Sequence, residues 1–239
     1  MKCKNCNTEI NSKFCPECGQ PARLKRINGK YIIHEIGNVL YFERGLLYTI
    51  RKLITSPGQA VRNYLTENRS RLVKPIIFII LTSLIYTLTI SIFHIEDGYF
   101  TYEGDEPSSA QSKITTWIQS HYGYANLIMG IFIAFWVKLF FKKYRFNIFE
   151  ILIMLCFVMG IEMLIFSIFG LVHGVTNLNI MSIGGMVGMG YCSWAIGNFF
   201  GKTQIINYVK AIIAFILGMV TLILLATIVG VLIDIIKGY

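Results

Sequence analysis

Four cysteines in the first eighteen residues, Cys3, Cys6, Cys15 and Cys18, form two CxxC pairs set eight residues apart. Two such pairs can present four thiolates to a tetrahedral Zn2+ at about 2.3 Å. All four coordination positions are then filled by protein, so the predicted site is structural and not catalytic. The stretch has only Ile10 and Phe14 as bulky apolar residues and cannot build a core. Metal binding would itself supply its folding free energy, on the order of 10 kcal/mol. A reducing compartment keeps such thiols from closing into disulfides. A redox CxxC and an iron-sulfur site are the rival readings. They are disfavoured because the pairs are symmetric and no strand-helix unit follows to host redox chemistry.

The second chemically pointed residue is Glu162, an acid inside a long apolar run. Ten residues separate it from the outer end of that run near Val172, about 15 Å at the helical rise. A charge near the midplane costs on the order of 3 kcal/mol or more, so the side chain should face protein or a water-filled cavity. Equal depth along the other runs makes Ser83, Tyr191 and Thr227 its expected neighbours. Two readings stand: an acid that handles protons or cations, and a carboxylic acid that ties helices together by hydrogen bonds. Cys156 and Cys192 lie within apolar runs and read as packing residues. His94, His121 and His173 could meet Glu96 or Asp97, but scattered loop histidines make a weak second metal site. No nucleophile, base and orienting group share a recognisable spacing, so the chain does not read as an enzyme.

The elements that must position these residues are set by composition. Of 239 residues 54% are hydrophobic. The apolar content is gathered in five runs, and roughly 17 to 25 apolar residues cross a bilayer as a helix. The runs are 75–93, 124–141, 147–172, 180–200 and 205–236, with Lys138 near one end of the second, where its stem can snorkel. The expected fold is an all-α membrane protein. A zinc ribbon over 1–22 and cytoplasmic amphipathic helices over 23–74 precede a five-helix transmembrane bundle over 75–239. Gly184 with Gly188, and Gly197 with Gly201, give two GxxxG spacings in the fourth run, which let another helix approach closely.

Lysine and arginine set the orientation. Fourteen fall before Pro75, whereas 94–123 has one, Lys113, against Glu96, Asp97, Glu103, Asp105 and Glu106. Lys142, Lys143 and Arg145 follow the second run, none follows the third, and Lys202 follows the fourth. This alternation predicts a cytoplasmic N-terminus and an outer C-terminus, with Tyr99, Tyr102, Trp117, Tyr122 and Tyr124 as an outer aromatic belt. The net charge of +9 is then topological signal and attraction to anionic headgroups. Nucleic acid is a disfavoured partner, because the cysteine stretch has Phe14 as its only aromatic residue and balances Lys2, Lys4 and Lys13 with Glu9 and Glu17.

Ahead of the first run, Val39, Phe42, Leu46, Ile50 and Leu53 recur at three and four residues, with Leu40, Leu47 and Ile54 widening the stripe. This is an amphipathic helix whose charged face includes Glu43, Arg44, Arg51 and Lys52. It lies either on anionic lipid or against the cytoplasmic ends of the bundle. Ser56 as cap, Pro57 in the first helical position and Gln59 three residues on predict a capping box opening a second short helix, with Val61, Tyr64 and Leu65 as its apolar face.

The pairs ending in FCPECGQ, the segment RGLLYTIRKLITSPGQAVRNYLTENRSRLVKPIIF and the multi-pass remainder together resemble the bacterial membrane family catalogued as domain of unknown function 3667. The family pattern falls on Gly45, Thr49, Leu53, Pro57, Gly58 and Tyr64, while ENRSR departs from the family's GKR-like basic segment at Glu67 and Asn68. The resemblance implies a bacterial inner-membrane protein and carries no activity, substrate or catalytic residue. The layout is also similar to the Yip1-like membrane family, at the level of fold only. The expected function is that of a scaffold or recruitment protein, with a zinc-stabilised head that holds a cytoplasmic protein partner against the bilayer. The alternative is a small ion- or proton-coupled transporter or channel using Glu162. A homo-oligomer is open on either reading.

Overall fold

A computed structural model describes residues 2, 3, 6–9, 11, 14–18, 45–93, 95, 110–120, 122–176 and 178–237. The chain divides into two units, Met1–Arg44 and Gly45–Tyr239. Residues 39–44 of the amphipathic stretch lie outside the described residues, as do His94, His121, Glu96, Asp97, Tyr99 and Tyr102.

The second unit is helical throughout its described residues apart from turns. Its elements are α1 (Leu46–Thr55), α2 (Pro57–Thr66), α3 (Pro75–Phe93), α4 (Ala110–Ser120), α5 (Tyr122–Phe140), a 3-10 turn (Lys142–Tyr144), α6 (Ile148–Thr176), α7 (Met181–Gly201) and α8 (Ile205–Lys237). Helices thus occupy all five apolar runs. Three of them are long and apolar enough to cross a membrane: Pro75–Phe93, Ile148–Thr176 and Ile205–Ile236. The apolar stretch Tyr124–Phe140 is shorter.

Burial separates the roles of these helices. Two-thirds (67%) of the apolar window of α6 is buried, against 28% in α3 and 17% in α8. So α6 is the central post, packed by α3 on one side and by α5 and α7 on others. The peripheral helices turn bulky apolar side chains outward, among them Ile76, Ile80, Leu84 and Leu88 on α3, and Ile216, Leu224 and Ile228 on α8. Water would penalise that surface and hydrocarbon would not. Helix α7 is held close by its glycines. A Cβ on Gly184 would stand 2.9 Å from Phe169 of α6, and one on Gly197 would stand 3.0 Å from the Tyr208 backbone of α8. The two GxxxG spacings therefore serve two different neighbours, as close approach requires.

The α4 segment lies within what the charge pattern marks as an outer loop. It packs along α8, and Asp234 accepts a hydrogen bond from the Ala110 backbone N–H at 2.6 Å. An acid thus takes up one of the orphan donors at the start of α4 and complements the positive end of its dipole.

Candidate functional site

The first unit brings its four cysteines together. Cys3, Cys6, Cys15 and Cys18 place their sulfurs within 4.8 Å of one another, and all four are free thiols. The sulfur separations are 3.5 Å for Cys3 and Cys18, 3.4 Å for Cys6 and Cys15, and 3.4 Å for Cys6 and Cys18. A disulfide would need about 2.05 Å. Four sulfurs at the corners of a tetrahedron, each about 2.3 Å from a central ion, would be about 3.8 Å apart. The cluster fits one metal ion, and its sulfurs converge too closely to enclose a multi-iron cube.

Local backbone explains the convergence. Asn7 adopts a left-handed φ of 60°. The turn around it is closed by Asn7 N–H on the Cys3 carbonyl at 3.0 Å and Cys3 N–H on the Thr8 carbonyl at 2.9 Å. Asparagine tolerates that conformation better than most residues, so the chain turns back just after Cys6 and brings Thr8 beside Cys3. Thr8, through its hydroxyl first and its backbone second, draws the Cys6 thiol down to about 6. The Cys18 backbone pulls Cys15 down as well, but burial and the neighbouring Cys6 and Cys18 thiols outweigh it and hold Cys15 up at about 11.

In the second unit, four of the six residues picked out by the sequence pattern, Thr49, Leu53, Gly58 and Tyr64, fasten the α1–α2 hairpin to neighbouring elements. Thr49 is fully buried. Its hydroxyl donates to the Gly45 carbonyl at 2.6 Å and accepts the Val73 backbone N–H at 3.1 Å, joining the start of α1 to the lead into α3. Leu53 is fully buried, and its carbonyl accepts the Tyr191 hydroxyl of α7 at 3.0 Å. Pro57 opens α2, where its missing N–H would have been an orphan in any case. The Gly58 N–H donates to Asn198 Oδ1 at 3.2 Å, and a Cβ there would stand 2.5 Å from the Asn198 backbone. Tyr64 sets its ring edge-on to Phe157 of α6, with centroids 5.3 Å apart and planes at 77°.

The expected capping box is not made: Ser56 has no side-chain capping bond to α2. Asn198 of α7 takes the place of a local cap by accepting the Gly58 N–H, so the start of α2 is satisfied across the interface. The arrangement is reciprocal. Arg62 on α2 donates from Nε to the Phe199 carbonyl at 2.6 Å, and Nη2 reaches the same oxygen. That carbonyl belongs to the last turn of α7, where carbonyls lack helical partners and a cation is favoured. Of the two placements open to the amphipathic segment, the described part rests on the bundle through α6 and α7.

The same end of the bundle carries an aromatic layer. Phe141 and Phe200 stack at 3.9 Å, while Phe146 stands 4.7 Å from Phe199. Tyr144 shares its hydroxyl with Gln204 at 3.1 Å and with buried Asn207 at 2.9 Å. Lys138 ends on the Phe146 carbonyl, as a snorkelling stem should.

Glu162 is buried on α6. Its carboxyl lies beside the Cys192 thiol of α7, and its Cγ lies where a Cβ on Gly188 would come within 3.2 Å. Gly188 thus provides the space that Glu162 fills. Oε2 has no hydrogen-bond partner among the described residues, and neither does the hydroxyl of Ser193. Of the expected neighbours, Tyr191 directs its hydroxyl to Leu53, while Ser83 on α3 and Thr227 on α8 are half-buried. Cys192, the partner that depth counting passed over, follows Tyr191 directly in the sequence. A count by depth ranks positions along a helix but does not say which face turns inward.

Helices long and apolar enough to span a bilayer, together with a four-thiol cluster that could hold a metal ion, define a membrane-type helical protein. Residues 43–87 match the family described as Protein of unknown function (DUF3667), the family that the sequence pattern resembles. The matched segment covers α1, α2 and most of α3, so it coincides with the hairpin and its fastening. No curated protein and no solved structure matches the chain.

Proposed function

We propose that this protein is a bacterial inner-membrane scaffold that presents a zinc-stabilised head to a cytoplasmic partner. The observation that carries this reading is the fastening of the α1–α2 hairpin. The hairpin ahead of the first long apolar helix is bolted to α6 and α7 at Leu53, Gly58, Arg62 and Tyr64 and to the lead into α3 at Thr49, which makes a rigid mount out of what could have been a loose hairpin. A rigid mount suits a part whose work is positioning.

Five crossings complete the proposal, with α5 and α7 spanning alongside the three longer helices. The basic residues Arg62, Lys142, Lys143, Arg145 and Lys202 gather at the end where α2, the α5–α6 connection and the α7–α8 connection meet, whereas Asp234 and α4 lie toward the other end of α8. The positive end faces the cytoplasm by the usual charge rule, which puts the C-terminus outside. The ion is Zn2+, from the all-thiolate donor set and its spacing.

Glu162 keeps the transporter reading alive through one observation, its unpartnered Oε2. Its burial against Gly188 and Cys192 favours a helix-tying role. Crosslinking in cells should capture one cytoplasmic protein on the head, and Cys15→Ser should abolish the capture. Solute flux through liposomes carrying the purified chain, lost in Glu162→Gln, would overturn the scaffold reading in favour of transport.

A further inference from the structure

The elbow of the α1–α2 hairpin encloses a cavity of about 400 Å3, within the roughly 300–1,000 Å3 of ligand pockets. Its wall is polar and one-sided in charge. Lys52 and Arg71 bring two cationic heads against one carboxylate, Glu67, and Gln59, Asn63 and Asn68 add three amides. Among the described residues neither cation pairs with an acid; Lys52 stands 5.9 Å from the Tyr48 ring centroid, and both are exposed.

One of the amides, Asn68, is held in a fixed orientation. Asn68 Oδ1 accepts the Ser70 N–H at 2.8 Å and the Ser70 hydroxyl at 2.6 Å, so its NH2 is the group left for other partners. Behind it the N–H groups of Glu67 and Asn68 both close onto the Asn63 carbonyl, at 2.8 and 2.9 Å, which holds Asn63 and Asn68 beside each other. Two cations against one acid leave the wall at net +1, and the Asn68 NH2 adds a donor to it. A guanidinium fork, an ammonium and an amide donor on one wall suit a compact anion with several oxygens.

We infer that this elbow binds a phosphate-bearing anion, either the phosphodiester of a lipid headgroup or a soluble phosphate ester. The site shares no residue with the four-thiol cluster or with Glu162, so it stands whether the chain is a scaffold or a transporter. Phosphate binding would lock α1, α2 and the lead into α3 around one ligand.

The full chain in nanodiscs tests this with two probes. In discs of phosphatidylcholine doped with phosphatidylglycerol, native mass spectrometry should find one phosphatidylglycerol retained per chain if the source is lipid. In pure phosphatidylcholine discs, glycerol 3-phosphate should raise the melting temperature if the source is soluble. Lys52→Gln and Arg71→Gln should each weaken the effective probe about tenfold or more. Lys74→Gln, an exposed cation close by that does not line the cavity, should leave binding unchanged. The exposed positions of all three keep the fold intact, which circular dichroism will show. Binding that survives both cavity substitutions, equal weakening by Lys74→Gln, or no binding of either probe would overturn the inference.

Discussion

At the scale of single residues the most exacting contact is at Gly58, where there is no room for a methyl group. An added Cβ would meet the Asn198 backbone, which cannot swing aside as a side-chain tip could. Gly58→Ala should therefore lower stability by about 1–3 kcal/mol, read as a fall in detergent-solubilised melting temperature. Gly190 on α7 supplies the control, since a Cβ there meets nothing within 4 Å. Gly190→Ala should be neutral or stabilising by about 0.5–1 kcal/mol, because alanine loses less backbone entropy in a helix. Tyr64 tests the other face of α2. Burial pushes its phenol above the usual tyrosine range, with Arg69 opposing. The unfolded chain then ionises first, so the stabilisation is complete below about pH 10 and fades as pH rises through the folded value. Tyr64→Phe should remove this part of the alkaline loss, seen as a flatter melting temperature between pH 9 and 11. Equal alkaline loss in both proteins would assign the effect to other groups.

At the scale of elements the hairpin is the informative unit. Its hydrophobic stripe is legible in the sequence, because Leu46, Leu53, Val61 and Tyr64 fall at helical spacing and all four are buried. What the stripe packs against is not legible, since lipid and protein reward the same apolar pattern. The partner is decided by polar groups far apart in the chain, Asn198 for Gly58 and Tyr191 for Leu53, and no local periodicity reports such pairs. The capping box fails for a related reason: Ser56 and Gln59 have the right spacing, but α7 offers Asn198 in place of the local cap. Helix α4 carries a signal that could have been read, with Ile114, Trp117 and Ile118 three and four residues apart inside an otherwise polar loop. Thr49 is where the hairpin can be tested as an element. Thr49→Val keeps the shape but leaves the buried Val73 N–H without its acceptor. The cost should be about 1–3 kcal/mol, with faster hydrogen exchange at Val73 and along α1 while α8 is unaffected. Uniform acceleration across the bundle would show that the hairpin has no separate stability.

At the scale of the whole molecule the two units differ in what can hold their folds together. Residues 45–239 bury a contiguous apolar core running from Leu46 and Leu53 through Phe157 and Phe199 to Phe215. The described part of the first unit has for its buried apolar cluster only Cys3 and Cys15, which are themselves ligand candidates. A thiol cluster with no other buried apolar group among its described residues would depend on an ion held there. Removing the metal should then unfold the head and leave the bundle standing. With a membrane-permeant chelator, hydrogen exchange over residues 1–18 should rise to the rate of an unstructured peptide, while the helical circular dichroism signal and the melting temperature of the bundle stay within error. One equivalent of metal per chain should be released, and elemental analysis will identify it. Protons set the direction of the pH dependence. Thiolates would be the ligands, and the Cys15 thiol is held in its protonated form at neutral pH whereas Cys6 is drawn toward the thiolate. Reloading the metal should therefore release protons, and affinity should fall as pH drops, because each added proton competes for a sulfur lone pair. Cys15→Ser should copy the chelated state without chelator. Loss of bundle helicity on chelation would instead mean that the two units share one cooperative fold.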